Sequence, residues 1–325
     1  MNPIPGGAEG PAEQALIDRA AHYPEHASLN DLTAEALLRV TSREGVDFAT
    51  VLLFDRFQKS PQHGTFIGRI NSFWRAGETR TPQIRATVVI APGALYDERP
   101  EFGSDIQLIQ EVAARFGCQT AVIPVGGTGS LMDNARRICD WLARRSDEAI
   151  ILVSLSKGGA ETKLAMRMPD SESLFRKALA WVNVCGPLNG SPLVNWVLAN
   201  RWRTLHFRAK CRLQRRDFQF IADLRHKSGG PLDCSLSLPP SIKLVSLIGF
   251  PLRRHMTTRF SRFCHRTLAT QGPSDGTTLL SDLGTWPGAI FPAWGMDHYF
   301  RPEKEARKLV AAVFQLLAEE LSVVG

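Results

Sequence analysis

From about residue 84 the chain alternates short apolar runs with stretches whose apolar residues recur at helical spacing. ATVVIAPG (86–93), QTAVIPV (119–125), EAIILVS (148–154) and KALAWVNVCG (177–186) predict strands. Between them, SDIQLIQEVAARFG (104–117) predicts a helix with Ser104 as its cap and Gly117 at its end. GSLMDNARRICDWLARRS (129–146) predicts a second, with Leu131, Ala135, Ile138 and Leu142 on one side, and KGGAETKLAMRM (157–168) a third. IKLVSLIGF (242–250) and GAIFPAWG (288–295) add two more strands. RPEKEARKLVAAVFQLLAEELSVV (301–324), opened by Pro302, predicts a long amphipathic helix. Repeated strand-helix alternation implies an α/β fold, a mostly parallel sheet covered by helices on both faces.

Two regions stand outside the alternation. Residues 11–58 predict helices: SLNDLTAEALLRV sets capping residues ahead of apolar positions at helical spacing, DFATVLLFDRF continues in that style, and SPQHG breaks the pattern. Residues 187–240 carry aromatic and basic helical text, LVNWVLANRWRTLHFRAK, and finish in SLSLPPS. The expected organisation is an N-terminal helical extension (1–83), an α/β core (84–186 and 241–325) and a helical insertion (187–240).

Composition changes this picture little. At 325 residues, 44% hydrophobic and 22% charged, the chain matches a soluble globular protein of one or two domains. No apolar run approaches the roughly 18 residues of a membrane span. MNPIPGGAEGPAEQ lacks both a basic leader and an apolar stretch, so no secretory signal is expected. The six cysteines have no C-x-x-C spacing, which argues against a zinc site and for reduced thiols in a cytoplasmic protein.

Charge is more informative. Residues 201–216 hold seven Lys/Arg and no acid, and residues 253–266 hold five Arg and no acid. These segments take 12 of the 39 Lys/Arg, against 32 Asp/Glu in the whole chain, so the remainder is net acidic. Each cluster reads either as a surface that attracts anions or as a solvated helix face. No recognised motif accompanies the charge, which makes nucleic acid a weak partner candidate.

The densest chemistry lies in AIILVSLSKGG (149–159), a buried strand running into a sharp turn and a helix. A serine on such a turn is lifted out of the sheet, and the backbone N–H groups that follow it form a helix N-terminus. The turn is tight enough that the residues two before and two after must be small; around Ser156 these are Ser154 and Gly158, with Gly159 next. Other readings remain. The glycines could serve only close helix-strand packing. Ser154-x-x-Lys157 matches an S-x-x-K pattern, without the K-T-G or S-D-N that accompany it. GGTGS (126–130) suggests a phosphate loop, but G-x-G-x-x-G fails at Met132 and there is no G-K-[ST].

On these residues the sequence resembles the alpha/beta hydrolase family, whose usual motif is G-x-S-x-G; Ser154 replaces the first glycine. The resemblance covers roughly residues 84–325 in order of elements. It implies Ser156 as nucleophile and, as base, a histidine after the last strand, which is His298. It implies a carboxylate after the penultimate strand: Asp275 is preferred and Asp282 is the alternative, although the stretch from that strand to Asp275 is longer than the family's usual loop. The oxyanion donors would be the backbone N–H groups of Lys157 and of Ala94, the residue after Pro92-Gly93. The side chain of Lys157 would add positive potential near Ser156 or reach solvent.

The expected activity is serine hydrolysis or acyl transfer on an ester or thioester through an acyl-enzyme, with no metal or other cofactor. Residues 187–240 would form a basic lid, with Trp196, Trp202 and Phe207 lining an acyl pocket or packing the lid down. Basic residues 201–216 would suit an acidic acyl carrier or another anionic partner. A catalytically silent scaffold and a lyase or cyclase on the same fold are the competing expectations.

Overall fold

Six strands carry the apolar runs of the sequence, in a computed structural model that describes residues 10–77, 82–98, 105–147, 149–226 and 229–322. In chain order the elements are α1 (Pro11–Ala21), α2 (Ala34–Glu44), α3 (Val46–Lys59), α4 (Gly64–Ala76), β1 (Thr87–Ala91), α5 (Ile106–Arg115), β2 (Gln119–Val122), α6 (Leu131–Ala143), β3 (Ile150–Leu155) and α7 (Lys157–Ala165). There follow α8 (Ser171–Phe175), β4 (Ala178–Val184), α9 (Pro192–Leu198), α10 (Arg201–Leu213), α11 (Gln219–Asp223), β5 (Lys243–Phe250), α12 (Arg259–Leu268), β6 (Ala289–Trp294) and α13 (Glu303–Ser322). The strands form one parallel sheet in the order β2-β1-β3-β4-β5-β6. The chain divides into two compact units, one of Gln83–Val245 and one of Met1–Pro82 with Ser246–Gly325.

In the unit of residues 83–245, β3 lies between β1 and β4, paired from Thr87↔Ile150 to Ala91↔Ser154 on one side and from Ile151↔Ala180 to Leu155↔Val184 on the other. Every residue of β3 is buried, which is why its sequence is apolar throughout except for Ser154 and does not alternate. Helix α5 lies against β1 and β2, α7 against β1 and β3, and α6 against α7. The helices begin where short polar side chains accept from their first turn: Asp105 from Leu108 N at 2.8 Å, Ser130 from Asp133 N at 3.1 Å and Asn200 from Trp202 N at 2.9 Å. Asp105 thus caps α5; Ser104, the cap expected from the sequence, lies outside the described residues. The buried Lys163 of α7 donates to the carbonyls of Leu188 (2.6 Å) and Leu232 (3.1 Å), tying both ends of the 187–240 segment to that helix.

In the other unit, α1 and α2 pack on α3, α4 packs on α13, and α3 and α4 reach β6. Helix α4 continues past the SPQHG break, where the sequence pattern predicts none. Phe54 and Phe57 of α3 meet the ring of Phe250 edge-on at 6.0 and 5.8 Å. Arg56, also buried, donates to the carbonyls of His26 (2.7 Å), Tyr23 (3.0 Å) and Ala20 (3.2 Å), closing the connection from α1 to α2. Glu13 of α1 is buried, accepting from Trp294 Nε1 at 2.7 Å and pairing with Arg254. The six cysteines are free thiols. Among the described residues no helix is long and apolar enough to cross a membrane.

Candidate active site

Ser156 joins β3 to α7 with φ 47° and ψ −119°, outside the negative-φ regions that a residue bearing a Cβ ordinarily adopts. It occupies the N-cap position of α7, yet its side chain makes no capping bond to that helix. The usual use of a serine at this position is therefore absent, and the first N–H groups of α7 remain as a concentration of positive potential. The backbone is held from both sides, Ser156 N donating to Val184 O and Gly159 N to Ser156 O, each at 2.9 Å.

The small neighbours have separate reasons. A Cβ on Gly158 would lie 2.3 Å from the carbonyl oxygen of Ala91 and 2.7 Å from that of Pro92. The first turn of α7 therefore touches the end of β1, next to the turn that carries Ala94. A Cβ on Gly159 would lie 2.3 Å from Asn183 Oδ1. Ser154 is buried at the end of β3, where its hydroxyl accepts from Trp181 Nε1 at 2.8 Å and donates to Asn183 Oδ1 at 3.1 Å. A glycine there would leave both groups without this partner.

The side chain of Lys157 does not reach solvent. It is 2% exposed and pairs with Glu161 one turn along α7, with Gly126 O at 3.4 Å. Asn134 donates to Glu161 at 2.6 Å and to Gly126 O at 2.8 Å, and accepts from Gly126 N at 2.9 Å. Burial pushes Glu161 up to about 7, against the pull of the Lys157 ammonium. The glycine-rich turn at 126–130 belongs to this buried network. Its Gly127 lies against Leu95, whose N–H donates to Gly127 O at 3.2 Å, and Tyr96 donates to Val125 O at 3.0 Å. The turn thus packs onto the loop after β1.

In the other unit, His298 and Asp275 are both buried, with His298 Nδ1 2.9 Å from Asp275 Oδ2. Asp275 Oδ1 accepts from the backbone of Thr277 (2.8 Å) and Thr278 (2.7 Å), and Asp275 O accepts from His298 N at 2.7 Å. The carboxylate is thereby fixed by its own turn, where Gly276 takes φ 109°. With the proton on Nδ1, the imidazole donates to Asp275 and leaves Nε2 as the basic nitrogen. Thr277 Oγ1 lies 2.6 Å from His298 Nδ1 and 3.3 Å from Asp275 Oδ1. Thr277 was not among the residues expected from the sequence, although Asp-Gly-Thr is itself a turn signal that brings the third residue back to the carboxylate. Asp282, the alternative acid, is buried in the 3-10 turn Leu280–Thr285. Asp297 accepts from Tyr299 N at 3.0 Å, and burial raises its carboxyl above the ordinary range.

The aromatic residues of the 187–240 segment differ in setting. Trp196 is half-buried beneath the guanidinium of Arg203, 3.8 Å from its ring centre. Phe207 is half-buried, and Trp202 is 65% exposed.

No protein-family model matches the chain, and no curated protein does. Solved structures do match. A metagenomic carboxyl esterase aligns with a TM-score of 0.56 at 20% identity over 73% of this chain and 76% of its own. The mature lipase of Bacillus licheniformis aligns with a TM-score of 0.51 at 16% identity over 74% of this chain and 96% of its own. The Staphylococcus hyicus lipase gives 0.52 at 11% identity over 76% and 99%.

Proposed function

The chain has an alpha/beta hydrolase superfamily fold, and from that premise we propose that it is an ester hydrolase acting through Ser156. Its hydroxyl attacks the acyl carbonyl while His298 Nε2 takes the proton. Asp275 holds the ring in the tautomer that makes this transfer work and stabilises the imidazolium that results. The backbone N–H groups of Lys157 and Ala94 hold the developing oxyanion, helped by the N-terminal end of α7. His298 then protonates the leaving group, and water activated by the same imidazole releases the acid.

The observation that carries this reading is the backbone of Ser156. A non-glycine residue at φ 47° is costly, by about 1–3 kcal/mol, and persists where the surroundings enforce it. The fold spends this strain on a serine that does not cap its helix. The Asp275–His298 pair supplies the other half of the chemistry.

A fluorophosphonate probe and short p-nitrophenyl esters test the proposal. The wild-type chain should be labelled and should turn over the esters. Ser156→Ala should lose the label and lower kcat at least about 10³-fold. Labelling that survives Ser156→Ala, or a wild-type chain inert to both reagents, would refute it, the latter favouring a silent scaffold. Oxygen esters and thioesters share this chemistry and differ in the leaving group. Thioesterase or acyl-transfer activity is the finer form of the proposal; matched ester and thioester substrates with one acyl chain decide it.

A further inference from the structure

Helix α10 holds one face against its own unit and exposes another of unusual composition. On the inner face Cys211 is buried, Arg203 lies over Trp196, and Thr204 Oγ1 donates to Val197 O at 3.1 Å. The opposite face carries Trp202, Leu205, Ala209 and Leu213, which recur at three- and four-residue spacing and so form one stripe. Trp202 is 65% exposed, Leu205 57% and Leu213 86%. At 100° per residue, Arg201, Arg208 and Arg212 line one edge of this stripe, with His206 and Lys210 along the other. Arg201 also lies 5.0 Å from the ring of Trp202, and no acid occurs in residues 201–216.

We propose that α10 docks the protein onto the surface of a bilayer containing anionic phospholipid. Apolar side chains between two cationic edges fit the boundary between acyl chains and phosphate headgroups. Trp202, Leu205 and Leu213 enter the apolar layer, while the arginines and Lys210 reach back to the phosphates. The helix, about 20 Å long at 1.5 Å per residue, lies in the surface plane and does not span it. A solvated helix face accounts for the charges but not for the exposed stripe. An acidic protein would likewise use the charges and gain little from Leu205 and Leu213. The proposal is independent of catalysis at Ser156.

The test is co-sedimentation of the full chain with vesicles of phosphatidylcholine alone or mixed with phosphatidylglycerol. Binding is expected only to the anionic vesicles, with a blue shift of tryptophan emission that disappears in Trp202→Phe. Leu205→Ser/Leu213→Ser and Lys210→Gln/Arg212→Gln should each weaken binding by about tenfold or more. Circular dichroism melts of both variants establish that they remain folded. Absence of binding to anionic vesicles overturns the proposal. So does loss of binding in the charge variant with full binding in the leucine variant, which would assign α10 to an acidic macromolecule such as a carrier protein.

Discussion

Thr277 shows how much one side chain can add to a proposed site. Its hydroxyl sits where it can donate to Asp275 Oδ1 and share the proton on His298 Nδ1, so it fixes the imidazole from a second direction. If His298 is the base, Thr277→Val should lower kcat by about fivefold, the equivalent of one neutral hydrogen bond of about 1 kcal/mol, with KM nearly unchanged. Thr277→Ser should restore most of it. Steady-state ester kinetics on the three proteins measure this, and an unchanged kcat in Thr277→Val would remove the positioning role.

Helix α7 joins two jobs in nine residues. Its first turn presents backbone donors beside Ser156, and its Lys157 and Glu161 side chains turn into a buried pair with Asn134 and the 126–130 turn. Removing one partner of a buried pair strands the other. Glu161, pushed up to about 7 from an ordinary 4.5, keeps a proton that the unfolded chain releases between those values. Its contribution to stability is therefore complete below the unfolded value and is lost as pH rises through about 7. Lys157→Met removes the ammonium that limits this shift, so the loss should continue to higher pH and be larger in total in the variant. Thermal unfolding should show a deficit of about 3 kcal/mol or more near pH 8 and a smaller one near pH 5. An equal deficit at both would mean that Glu161 does not titrate in this range.

At the scale of the molecule, the N-terminal helices share a unit with the C-terminal segment Ser246–Gly325. Arg69 of α4 pairs with Glu320 of α13 at 2.6 Å, Trp74 donates to Glu305 at 3.2 Å, and Glu13 of α1 holds Trp294 at the end of β6. Glu13→Ala leaves a buried indole N–H without its acceptor and Arg254 without its counter-charge. It should cost about 2–3 kcal/mol, with Glu13→Gln milder because its amide oxygen can still accept from Trp294. Denaturant unfolding of the two variants measures the difference, and equal, negligible losses would show α1 to be dispensable to this unit.

Apolar periodicity by itself determined the α/β class, all six strands and most of the longer helices, α4 and α12 excepted, because buried strands and amphipathic helices leave distinct spacing in the chain. Small residues around Ser156 marked the elbow, since a tight turn excludes larger ones at fixed offsets. Tertiary structure decided what spacing does not encode. It turned Lys157 inward to Glu161, gave Ser154 to Trp181 and Asn183, and brought His298 to Asp275 across 23 residues. It also decided which face of α10 is covered and which is left to solvent. Partners of this kind are selected by packing between segments distant in the chain, and the local pattern of polar and apolar residues contains no record of that choice.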